Sequence, residues 1–85
     1  MTIEDWRTRI DEIDRKLLEL LQERARFVIE VGKIKSREHI DVFDPERERQ
    51  IILNILRENR GPLEDDALRR IFERLIDECR RIEAL

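Results

Sequence analysis

The sequence predicts an all-α chain of three helices per chain, one long and two shorter, assembled into an intertwined helical dimer. Composition is the first sign: 85 residues include only two prolines, two glycines and no tyrosine, and Leu, Ile, Glu and Arg, which favour helix, dominate the rest. The second is an apolar seam at alternating steps of three and four. The third is that the helix carrying this seam is too long for a small globule to enclose.

Helix one is expected over about 3–36. Its seam is Ile3, Trp6, Ile10, Ile13, Leu17, Leu20, Phe27, Val31 and Ile34, and no proline occurs before Pro45. Thr2, with Asp5 three residues on, is a start signal, weaker than one with Glu at that place. Helix two is expected over about 45–59. Asp44 is its N-cap, Pro45 its first helical residue and Glu46 an acid in the first turn. Its apolar set is Ile51, Ile52, Leu53, Ile55 and Leu56, and Asn59-Arg60-Gly61-Pro62 stops it. Helix three is expected over about 65–84, starting near Glu64 or Asp65. Leu68, Ile71, Phe72, Leu75, Ile76, Cys79 and Ile82 run down one face.

At 1.5 Å per residue helix one is a rod of roughly 50 Å, whereas a globule of this length should have a radius of gyration of about 12 Å. The shorter helices can line one side of the rod. The remaining apolar surface then needs a second chain. A single domain this small also has a modest core, so association is the expected supplement.

Other supplements are not expected. Cys79 is the only cysteine and His39 the only histidine, which leaves no disulfide and no grouping suited to a structural metal. The lone cysteine and the lack of a signal-like start fit a reducing cytoplasm. Charged residues make up 46% of the chain, but the net charge is −3 and the signs alternate. That argues against a nucleic-acid partner. No apolar run exceeds three residues, so no membrane span is expected.

Arg24 interrupts the seam where heptad spacing calls for an apolar side chain between Leu20 and Phe27. A cation held there needs an anion, either an internal glutamate or an external ligand. Lys35, eleven residues on, lies within about 20° of the same helical face. Val28 and Val31 fall between them and Gly32 adjoins, removing bulk. Two cations flanking a small apolar floor suit a compact dianion; a solvated Lys35 is the plainer alternative. Gly32 also reads as a tolerated interior glycine costing about 1 kcal/mol relative to Ala. Arg47 and Glu48 alone read as an ordinary charged first turn, Asp44 as a cap, and His39 as a solvated loop residue. Glu83 shares the face of Phe72, Ile76 and Cys79, an unusual place for a carboxylate unless the last turn frays.

Several stretches resemble the all-helical chorismate mutase family: Arg7, the run from Ile10 to Leu21, Glu23-Arg24, and Val31-Gly32-Lys33-Ile34-Lys35. Asp44-Pro45-Glu46-Arg47-Glu48-Arg49 and Ile71-Phe72 fit as well, so the resemblance covers nearly the whole chain. It implies an isomerase that rearranges chorismate to prephenate in phenylalanine and tyrosine biosynthesis, without cofactor, metal or covalent intermediate. It also implies that Arg7 and Arg24 bind the two carboxylates, with Arg7 reaching the site across a homodimer interface. Lys35 would donate to the ether oxygen and a carboxylate, Glu48 would accept from the ring hydroxyl beside the Asp44 backbone, and Arg47 would support the site. Lys35, Glu83 and Arg24 are thus the expected catalytic groups, and all of these line the substrate site. The chain departs from the pattern at Cys79, where some members place a substrate-touching serine. Glu83 stands where others have Gln or Glu as second donor to the ether oxygen. Only a protonated acid can donate, so activity is expected to fall as pH rises.

On one straight helix Arg7 and Arg24 are about 25 Å apart, and Arg7 and Lys35 about 42 Å, which again implies a site shared between antiparallel chains. Lys35 is near a helix end, so its removal is expected to barely change stability. Two alternatives share the scaffold: isochorismate pyruvate-lyase, and a non-catalytic dimerisation or regulatory module.

Overall fold

The computed structural model describes residues 1–85 and has three helices and no strand: α1 (Ile3–Glu38), α2 (Pro45–Glu58) and α3 (Asp65–Glu83). α1 starts in a capping box. The Thr2 hydroxyl accepts from Asp5 N–H at 3.2 Å, and the Asp5 carboxylate accepts from Thr2 N–H at 2.7 Å. Aspartate thus performs the task usually given to glutamate. α1 ends at His39, which takes a left-handed conformation with φ 57°. Ile40 N–H can then donate back to Lys35 O at 2.8 Å, satisfying a terminal carbonyl. His39 is therefore a helix cap, not merely a solvated loop residue.

α2 opens as its sequence dictates: Asp44 Oδ1 accepts from Arg47 N–H at 3.1 Å, with Pro45 at the first helical position. Asn59 organises the turn into α3. Its amide nitrogen donates to Leu63 O at 3.0 Å and Asp65 Oδ1 at 2.7 Å, while its oxygen accepts from Gly61 N–H at 2.9 Å. α3 has no side-chain cap, but Asp65 and Asp66 place acid in its first turn.

α3 packs on both α1 and α2, which do not pack on each other. The buried residues, Gly32, Ile52, Ile76 and Cys79, come from all three helices. Of the expected α3 face, Ile71 is the residue left exposed. The chain measures 54 × 24 × 16 Å with a radius of gyration of 15.9 Å. Its surface of 7349 Å² is well above the about 5400 Å² expected of a folded 10.4 kDa monomer. Ile3, Trp6, Ile10, Ile13, Leu17 and Leu20 along the free half of α1 are all exposed, as are Phe27, Val31 and Ile34.

Candidate active site

A cleft of about 380 Å³ opens where α1, α2 and α3 come together, at the small end of the range for small-molecule sites. α1 supplies Arg24 and Lys35 with Phe27, Val28 and Val31 between them, because an eleven-residue step returns to nearly the same helical face. The connecting segment and first turn of α2 supply Val42, Asp44, Arg47 and Glu48, and α3 supplies Cys79, Arg80 and Glu83. Of the residues expected to line the substrate site, Arg7 alone lies elsewhere. It sits on the free half of α1, exposed and paired with Glu4 at 2.7 Å.

Arg24 pairs with no glutamate of its own chain. Its Nη1 is buried and has no hydrogen-bond partner within the chain. Lys35 is not a solvated lysine either. Its Nζ donates to Glu83 Oε2 at 2.8 Å and Val42 O at 2.9 Å, and the two side chains are only 16% and 13% exposed. Glu83 is therefore ordered on α3 instead of solvated on a frayed turn. These ties contradict the premise that Lys35 is loosely held, and on physical grounds its removal would strand a largely buried carboxylate.

Gly32 acts differently from the sequence expectation. It does not border the cleft. A Cβ there would collide with the backbone carbonyl of Glu83 and touch its side chain. The glycine permits α1 and the end of α3 to approach closely, which brings Lys35 and Glu83 within bonding distance. Cys79 is buried in the cleft wall. Asp44 spends one carboxylate oxygen on its cap bond, and the Arg47 side chain donates to Gln50 at 2.9 Å.

Sequence reasoning missed Arg80. Its guanidinium forms a fork on Glu48, with Nε to Oε2 at 2.9 Å and Nη2 to Oε1 at 2.8 Å. Nη2 also reaches Asp77 at 3.0 Å, and the group lies over the Phe43 ring, 5.1 Å from its centroid. The bond to Glu48 raises the Arg80 pKa above its ordinary, already high value. Nothing in local spacing flagged it, because its partner is 32 residues away. The cleft therefore carries four cationic side chains, Arg24, Lys35, Arg47 and Arg80, against three acidic ones, Asp44, Glu48 and Glu83. Among the cations Arg24 alone has a buried nitrogen without a partner.

The family profile described as chorismate mutase type II matches residues 6–84. The bifunctional chorismate mutase/prephenate dehydratase of Aquifex aeolicus is 38% identical over 85 residues, covering 95% of this chain and 24% of that protein. Its counterpart in Pseudomonas aeruginosa is 37% identical over 82 residues, covering 91% and 22%. The chain thus spans less than a quarter of the length of these curated relatives. The solved structure of Thermus thermophilus chorismate mutase (form II) superposes with a TM-score of 0.94 at 31% identity, covering 95% of this chain and 92% of that one. With a matching family profile over nearly its full length and this shared three-helix fold, the chain belongs to the chorismate mutase type II family.

Proposed function

We propose that this domain is a chorismate mutase of aromatic amino acid biosynthesis in the cytoplasm, a homodimer in which each cleft receives the partner's Arg7. The observation that carries the proposal is the Arg24 Nη1, buried without an acceptor in a cleft of small-molecule size that Lys35 also lines. A buried donor of this kind is costly unless an anion meets it, and chorismate brings two carboxylates.

The rearrangement breaks the ether C–O bond while a C–C bond forms, with no group gained or lost. The protein's task is to hold the substrate folded and to stabilise negative charge growing on the ether oxygen. In this reading Arg24 binds one carboxylate and the partner's Arg7 the other. Lys35 donates to the ether oxygen and a carboxylate, and Glu83, when protonated, is the second donor. Glu48 accepts from the ring hydroxyl beside the Asp44 backbone, Arg47 flanks the opening, and Cys79 forms part of the wall.

Two observations support the dimer. The exposed seam of α1 and a surface about 2000 Å² above the monomer expectation match an interface of the size seen in permanent homodimers. Arg7, about 25 Å from Arg24 along α1, can enter a cleft only by way of a second chain.

Incubating the purified chain with chorismate and, separately, with isochorismate tests the proposal. Loss of chorismate absorbance with formation of prephenate is the expected result. Salicylate fluorescence from isochorismate alone would instead identify the pyruvate-lyase, and no turnover of either substrate a non-catalytic module.

A further inference from the structure

Both ion pairs that join separate helices end on the last turns of α3. Glu83 binds Lys35 of α1, and Arg80 binds Glu48 of α2. Because α1 and α2 do not pack on each other, the distance between the cations on α1 and the carboxylate on α2 is set through α3 and through the connecting segment, which Lys35 ties at Val42 O. Arg80 is the polar link on the α2 side.

The link is stiff. The fork holds both oxygens of Glu48, Asp77 holds the guanidinium from one turn back on α3, and Phe43 lies against its face. A planar fork on a carboxylate fixes its rotation as well as its position. Each Glu48 oxygen has a second lone pair beyond the one Arg80 uses, and Glu48 lines the cleft. Without the fork, Glu48 would sit on a first-turn side chain free to change rotamer. A substrate hydroxyl would then have to order the carboxylate as well as bond to it.

We propose that Arg80 is a positioning residue for hydroxyl recognition. It holds the Glu48 carboxylate oriented toward the cleft, so that preference for a substrate bearing the ring hydroxyl depends on Arg80 through Glu48. The proposal rests on the reading of the cleft as a chorismate mutase site.

The test uses the full chain with Arg80→Met, Arg80→Lys, Glu48→Gln and the Arg80→Met/Glu48→Gln double variant. Each is assayed on chorismate and on its analogue with the ring hydroxyl replaced by hydrogen, and folding is checked by circular dichroism. Arg80→Met should reduce kcat/KM on chorismate roughly 10- to 100-fold, the size of losing one charge-assisted hydrogen bond, and leave the deoxy analogue nearly unchanged. Arg80→Lys keeps the charge without the fork and should fall between wild type and Arg80→Met with the same substrate pattern. If Arg80→Met does not fold, this variant alone decides. In the Glu48→Gln background Arg80→Met should have no further effect. Equal losses on both substrates, or additive losses in the double variant, overturn the proposal while wild-type turnover of chorismate keeps the functional reading intact. A wild-type chain inactive on chorismate overturns both.

Discussion

Pairing two inactive variants should restore activity if each cleft is built from two chains. Arg7→Ala removes an exposed cation on the free half of α1, and Arg24→Ala removes the half-buried one in the cleft. They are separated by about 25 Å of continuous helix, nearly half the 54 Å length of the molecule, so one small ligand cannot bridge them within a chain. Each homodimer should retain roughly a hundredth of wild-type activity or less. When equal amounts are unfolded together and refolded, about half the dimers are mixed. Each mixed dimer has one cleft with both arginines and one with neither, so roughly a quarter of wild-type specific activity should return. The assay is chorismate consumption, with heterodimer content measured by native mass spectrometry. If heterodimers form in the statistical proportion and activity stays at the parental level, the shared-site argument is wrong.

Lys35→Ala should lower kcat by an amount equivalent to about 3–4 kcal/mol, because its donor acts on charge that grows only in the transition state; an unchanged kcat with a raised KM would refute that role. It should also cost on the order of 1–3 kcal/mol of stability in urea unfolding, since the buried Glu83 loses its partner. In the free protein the Glu83 carboxylate accepts from Lys35, and a carboxylate has no proton to donate to the ether oxygen. Glu83→Gln, which can donate where a carboxylate cannot, should therefore keep or raise kcat/KM on chorismate while Glu83→Ala lowers it; a Glu83→Ala variant as active as wild type would remove Glu83 from the mechanism. Gly32→Ala should destabilise by about 1–3 kcal/mol through overpacking against Glu83, despite a helix-propensity gain of about 1 kcal/mol. Thermal unfolding checks the sign, and a stabilised variant would show that α3 shifts without penalty.

What the sequence determined by itself is mostly what depends on neighbours a few residues apart. Helix starts at Thr2 and Asp44 follow from caps whose partners lie three residues on. The outward seam of α1 follows from its heptad period, and the co-facial placement of Arg24 and Lys35 from the pitch of one helix. Arg24 could also be recognised as a misplaced cation. Whether a glutamate or a ligand answered it was undecidable there, because that depends on which side chains other helices bring within reach. The same limit explains the rest. Lys35 could be read as an anion-binding or a solvated lysine until α3 placed Glu83 and the connecting segment placed Val42 against it. Gly32 looked like space for a ligand, whereas it is space for the backbone of Glu83. Arg80 carried no local signal at all, since its fork to Glu48 exists only when α2 and α3 dock in one register. Periodicity and caps specify each helix and its apolar face, but hydrogen bonds between helices are sensitive to ångström-scale shifts, and only the packed tertiary structure decides them.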